Sequence, residues 1–290
     1  MNQIEGSTCV VTGANSGIGK VTAIEMARMG ARVVMVCRNR ERGRQALVEV
    51  CQASGSSSVD LLLADLSIQA EVKDLAARIA DSYPQVDVLV NNAGLFSRKR
   101  VETPDGLELT FAVNHMAYFI LTLELLDTLW ESAPARIVNV SSQAHRRNKL
   151  DFEDLQATRK YNGWKAYGRS KLANVLFTNH LAAGLDGSGI TVNALHPGVV
   201  ATQFGRSGNG VLSLIWRLGN RFFKTPEQGA RTNVFLASSP DVDGVTGGYF
   251  MNEKPARSSR EANDAEAAAL LWKESLRLAG YETDPLDPRS

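Results

Sequence analysis

A repeating alternation of short apolar runs and longer amphipathic stretches constrains this chain more than any other feature. The runs cover residues 8–11, 32–37, 59–63, 86–90, 136–140 and 190–195, with a short last one around Tyr249-Phe250. Val, Ile and Leu follow one another within them instead of alternating with polar residues. Strands buried on both faces of a parallel sheet have that composition. The stretches between, near 17–29, 40–53, 68–83, 106–130, 164–184 and 226–238, place apolar residues three or four apart, which is the helical period. Strand and helix repeated in this way, with right-handed crossovers, give an α/β fold: a doubly wound parallel sheet with helices on both faces. Neither a low-complexity linker nor a solenoid-period repeat divides residues 1–290, so a single domain is expected.

The first strand runs into Thr12-Gly13-Ala14-Asn15-Ser16-Gly17-Ile18-Gly19, and a helix follows. Gly13 permits a tight turn, Gly17 lets backbone N–H groups approach a phosphate, and Gly19 lets the helix pack close to the sheet. The positive end of the helix dipole then faces the phosphate. The turn predicts a Rossmann-type dinucleotide site, with Asn15, Ser16 and Ile18 among its residues. After the second strand, Cys37-Arg38-Asn39-Arg40 stands where NAD enzymes place an acidic residue for the ribose 2′-hydroxyl. An arginine suits a 2′-phosphate, so Arg38 points to NADP(H); the alternative is a solvated basic turn. Charge-assisted contacts of this kind are worth roughly 1.5–3 kcal/mol. Asp65, after the third strand, suits the adenine amino group with Leu66 beside the ring, or else caps the next helix.

Tyr167 and Lys171 are four positions apart in an amphipathic stretch, so they share one helix face. A free phenol has a pKa of about 10, and a nearby ammonium favours the phenolate. A phenol tuned toward neutral pH can give a proton to a carbonyl oxygen or take one from an alcohol.

Thr-Gly-x-x-x-Gly-x-Gly, Asn91-Asn92-Ala93-Gly94, a serine after the fifth strand, Tyr-x-x-x-Lys and Pro197-Gly198 together resemble the short-chain dehydrogenase/reductase family. The similarity runs from residue 5 to about 250. Within the family, Cys-Arg-Asn, Val-Asn-Val-Ser-Ser-x-Ala-His, Ser-Lys-Leu-Ala-Asn-Val-Leu-Phe-Thr and His-Pro-Gly-Val-Val look most like the retinol dehydrogenase group. The resemblance implies an NADP(H)-dependent alcohol dehydrogenase or carbonyl reductase with Asn114, Ser142, Tyr167 and Lys171 as the catalytic set. It assigns Ser142 to the developing alkoxide and Lys171 also to the nicotinamide ribose. Asn114 would support a water bridging to the lysine. Asn91, Ala93 and Gly94 would lie along the cofactor, and Pro197, Gly198, Val200 and Thr202 near the carboxamide. Two other readings share these motifs: a non-catalytic nucleotide-binding sensor or scaffold, and a C=C reductase resembling protochlorophyllide reductase.

Ser142 and Tyr167 are 25 positions apart, because a polar stretch at 144–163 separates the fifth strand from its helix. A second long interruption, 203–224, begins with Gly205, Gly208 and Gly210 and continues with Trp216 and Phe222 among apolar residues and cations. Its apolar face suits a lid over a hydrophobic alcohol or carbonyl substrate, with Ser142, Tyr167, Trp216 and Phe222 lining the pocket. A peripheral membrane contact or closure of the core are the other readings. Residues 258–290 should form a helix, near 261–279, and a frayed tail. A net charge of +1 gives no reason to expect nucleic acid, and the histidines and three cysteines fit no metal spacing. An early core strand replaces a signal peptide, and no run reaches the roughly 18 apolar residues of a membrane span. Membrane-bound members of the group it resembles carry an N-terminal hydrophobic anchor, and none is expected here. The expectation is a cytoplasmic protein, with a homo-oligomer open.

Overall fold

The structure, a computed structural model, describes residues 4–198 and 224–287. Val200, Thr202, Trp216 and Phe222, with nearly all of the expected lid, lie outside the described residues. Among the described residues the strands are β1 (Thr8–Thr12), β2 (Arg32–Cys37), β3 (Val59–Leu63), β4 (Val88–Asn91), β5 (Ala135–Val140), β6 (Ile190–His196), β7 (Tyr249–Met251) and β8 (Lys254–Pro255). They form one sheet in the order β3-β2-β1-β4-β5-β6-β7-β8. Every pairing is parallel except the last, where β8 runs antiparallel to β7. That final two-residue strand has no apolar run to announce it, and the sequence pattern misses it.

The helices are α1 (Gly17–Arg28), α2 (Arg40–Ser54), α3 (Gln69–Ser82), α4 (Leu109–Phe111), α5 (Ala117–Glu124), α6 (Leu126–Glu131), α7 (Gly163–Gly184), α8 (Pro226–Ser238) and α9 (Ala265–Ala279). Their ends have local causes. The side chain of Asn39 accepts from the N–H of Arg42 at 2.9 Å, and Gly55 ends α2 with φ +74°. Thr225 and Gln228 form a reciprocal capping box at α8, with Pro226 in its first turn. The expected helix over 106–130 is three helices joined by a π-helical turn, Ala112–Met116, and a break at Leu125. It begins late because the Glu108 carboxylate accepts from the N–H groups of Thr110 and Phe111. The tail helix likewise starts at Ala265, where Asp264 caps it, after a 3₁₀ turn at Glu261–Asn263.

Two apolar cores lie on opposite faces of the sheet. α1, α2 and α8 cover one with Met26, Met35, Val50 and Leu236. α3, α5, α7 and α9 cover the other, where Trp272 stacks on Phe177 at 6.1 Å and meets Phe119 edge-on at 5.0 Å. An aromatic buried this way contributes roughly 3–5 kcal/mol, judged by truncation to alanine. The chain winds outward from β1 toward β3 and then from β4 toward β7. The direction reverses between β1 and β4, and the crevice beyond their carboxyl ends is where such sheets bind ligands.

Candidate active site

The turn after β1 is tied to the loop after β4 by one hydroxyl. Thr12 Oγ accepts from the N–H groups of Asn92 at 2.9 Å and Ala93 at 3.0 Å. Gly13 and Gly17 have φ of +66° and +56°, where any residue with a Cβ is strained. A Cβ on Gly13 would come within 2.9 Å of the Ala93 backbone, and one on Gly19 within 2.5 Å of the Gly13 carbonyl oxygen. The Ser16 side chain makes no capping bond to α1, so the first N–H groups of that helix remain available to an anion. Asn15 is half-buried and Ser16 exposed on the same turn, with Ile18 following. This cradle fits a dinucleotide pyrophosphate.

Arg38 lies just beyond β2, its side chain 67% exposed and its guanidinium 3.8 Å from Asp65. An exposed pair of that length contributes little. The second Asp65 oxygen accepts from the Ser67 N–H at 3.0 Å and the Ser67 hydroxyl at 2.7 Å. Asp65 therefore closes a turn and does not cap α3, whose N-cap position is taken by Ile68. Leu66 is half-buried and packs against the core.

The catalytic candidates gather beyond β4 and β5. Lys171 is only 3% exposed, and its Nζ donates to the Val140 carbonyl at 2.8 Å. Asn114 sits in the π-helical turn, an irregularity often found at functional sites. Its amide donates to the Leu95 carbonyl and to Ser170 Oγ, while its oxygen accepts from the Leu95 N–H at 2.8 Å. A Cβ on Gly94 would lie 3.4 Å from both Asn114 Oδ1 and Lys171 Nζ, so the loop after β4 passes directly against the two side chains. Burial raises the Tyr167 phenol above its usual value, and hydrogen bonding with Ser142 opposes that rise. Burial also pushes the Lys171 amine down, to about 7. The expected pull of a charged lysine on the phenol is thus not the leading effect here. Desolvation dominates both groups.

The Asn91 side chain is turned into the sheet. Its amide donates to Thr122 and Asn139, both at 3.0 Å, inside the sheet. The Ala93 carbonyl accepts from the Tyr118 hydroxyl at 2.7 Å. Pro197 and Gly198 leave the end of β6, Gly198 with φ +95°. Several supporting residues escape sequence reasoning. Ser141 donates to the Lys171 carbonyl at 2.7 Å, Ser170 bridges Asn114 to the Tyr167 carbonyl, and Tyr118 stands 5.5 Å from the lysine amine. Only the serine doublet and the Tyr-x-x-Ser-Lys spacing hint at the first two.

Residues 7–209 match the family described as short chain dehydrogenase. The chain belongs to the short-chain dehydrogenase family. Human retinol dehydrogenase 13 is 44% identical over 96% of this dehydrogenase and 86% of its own length. An uncharacterized protein from Mycobacterium paratuberculosis, solved by crystallography, is 33% identical with a TM-score of 0.78, covering 97% of this chain and 96% of its own. The Pseudomonas aeruginosa RhlG/NADP active-site complex is 27% identical with a TM-score of 0.71, covering 86% and 97%. Among the described residues of the dehydrogenase, no helix is long and apolar enough to cross a membrane.

The depressed lysine makes stability depend on pH. Unfolded, Lys171 holds its proton up to about its usual 10.5; folded, only up to about 7. Between those values the unfolded state binds more protons, so unfolding free energy should rise with pH across that window. Urea unfolding at several pH values should show this slope in the wild type and a flatter one in Lys171→Met. Equal slopes would contradict the buried, neutralised amine.

Proposed function

We propose that this dehydrogenase uses NADP(H) to interconvert a hydrophobic alcohol and its aldehyde or ketone, with Tyr167 as general acid and base. The observation that carries the reading is the convergence of Tyr167, Ser142, Lys171 and Asn114 beside the uncapped glycine turn. When bound, the nicotinamide would supply or accept the hydride. Ser142 donates a hydrogen bond to the substrate oxygen as negative charge develops there. The Tyr167 hydroxyl delivers its proton to that oxygen in reduction and recovers one in oxidation. Burial keeps the phenol protonated, which is the form that donates. Lys171, fixed by the Val140 carbonyl with its amine 5.9 Å from the Tyr167 ring centre, would hold the nicotinamide ribose, and Asn114 holds the loop at Leu95.

Similarity to retinol dehydrogenases supports a hydrophobic substrate. So does an apolar wall beside the phenol: Phe96 meets Tyr167 edge-on at 6.2 Å and Trp164 at 4.7 Å. Arg38 supports NADP(H), as does the NADP bound by the Pseudomonas relative.

Tyr167→Phe should lose at least about 10²-fold in turnover, the lower end of general acid–base contributions, with cofactor affinity nearly intact. Steady-state assays by cofactor absorbance with aliphatic aldehydes would measure it, and near-normal turnover would sink the mechanism. Arg38→Asp should reverse the cofactor preference toward NAD(H), because it removes a charge-assisted donor and adds repulsion to the phosphate. The ratio of kcat/KM for the two cofactors is the measurement, and an unchanged ratio would move the choice to another residue.

A further inference from the structure

His145 lies three residues beyond Ser142, fully buried in the 3₁₀ turn Gln143–Arg147, and the chemistry above gives it no part. Its two ring nitrogens have different partners. The N–H of Ser259 points at Nε2 from 3.1 Å, and a backbone N–H can only donate. Nε2 must therefore carry a lone pair. Nδ1 sits 2.6 Å from the Ser142 carbonyl oxygen, which can only accept, so Nδ1 must carry the proton. One neutral tautomer satisfies both contacts and the other satisfies neither. Burial lowers the imidazole pKa, with Arg146 adding to that effect and the bond to the Ser142 carbonyl and Glu261 opposing it. Tyr249 packs edge-on against the ring at 5.0 Å.

We propose that His145 is a positioning residue for Ser142, tying the serine's backbone carbonyl to the C-terminal segment at Ser259. This rests on the reading of Ser142 as the hydroxyl that meets the substrate oxygen. The turn has other anchors. Arg146 donates to the Arg257 carbonyl, and Asn148 donates to the Ala144 carbonyl at 2.7 Å. A Cβ on Gly168 would come within 2.9 Å of that same carbonyl, so the turn presses on the residue next to Tyr167. The Ala144 N–H donates to Ser142 Oγ at 3.2 Å, which occupies a lone pair and leaves the hydroxyl proton to be donated. The Ser142 carbonyl also accepts from the His145 backbone N–H at 3.1 Å, and the next peptide N–H, of Gln143, donates to His196 Nδ1 at 3.3 Å. The imidazole adds the shortest contact to that carbonyl, at 2.6 Å, and alone ties it to Ser259. Ser259 is 114 positions from His145, so the contact joins the turn after β5 to the segment before α9.

The test combines kinetics with nitrogen-15 NMR. His145→Phe keeps a ring against Tyr249 and removes both hydrogen bonds, while His145→Asn returns a donor near the Nδ1 position. With NADPH and decanal, His145→Phe should lower kcat by about tenfold or more, as small misplacements at a reacting centre do, with the KM for NADPH little changed. His145→Asn should recover most of that loss. In a Ser142→Ala background, adding His145→Phe should cost little more, because the two residues act as a unit. Unchanged kcat in a folded His145→Phe, or full additivity with Ser142→Ala, would overturn the proposal. In the wild-type protein, NMR should find the His145 proton on Nδ1, whatever the variants do; a proton on Nε2 would also overturn it. Full activity in Ser142→Ala would remove the hydroxyl's role itself, and the positioning role with it.

Discussion

Lys171 donates to the Val140 carbonyl from a position only 3% exposed, and the arrangement of the site depends on that contact. Burying an amine this deeply costs several kcal/mol unless partners compensate. Here the partners are one carbonyl at the end of β5 and the faces of Tyr118 and Tyr167, at 5.5 and 5.9 Å. Partial compensation explains why the amine is driven down to about 7 and is not kept at its usual value. The same contact joins α7 to β5. It thereby sets Tyr167, one turn earlier on α7, against Ser142, just beyond β5.

The larger frame follows from strand direction. Seven parallel strands, β1 to β7, end at one edge of the sheet, and the reversal between β1 and β4 opens a crevice there. Each functional loop leaves from that edge: the glycine turn from β1, Arg38 from β2, Asn92 to Gly94 from β4 and the serines from β5. The loops are not independent. Thr12 joins the first to the third, and Asn114 braces the third from the π-helical turn. Hydroxyl and amide groups buried at the base of the loops leave them little freedom.

Much of this was legible in the sequence, for identifiable reasons. Both-face burial gives the strands uninterrupted Val, Leu and Ile, so the parallel strands could be located directly. The glycine turn is recognisable because backbone sterics leave few other residues that fit. Tyr167 and Lys171 come together because helical spacing is local. What escaped depends on contacts across the fold. The true start of the helix near 109 is decided by the Glu108 carboxylate, and the role of Asp65 by Ser67. The inward turn of Asn91 answers to Thr122 and Asn139 on other elements. The pairing of His145 with Ser259 spans more than a hundred positions, and no local pattern encodes it.

Direct hydride transfer between NADPH and a carbonyl carbon is the step that these side chains serve in our reading. Two preparations of NADPH, each with deuterium on one face of nicotinamide C4, should be incubated separately with the protein and decanal, and the decanol analysed by mass spectrometry. One preparation should yield alcohol with a single deuterium on the carbinol carbon, and the other unlabelled alcohol. Decanol free of deuterium from both preparations, or no decanol from either, would contradict the assignment of this site to carbonyl reduction.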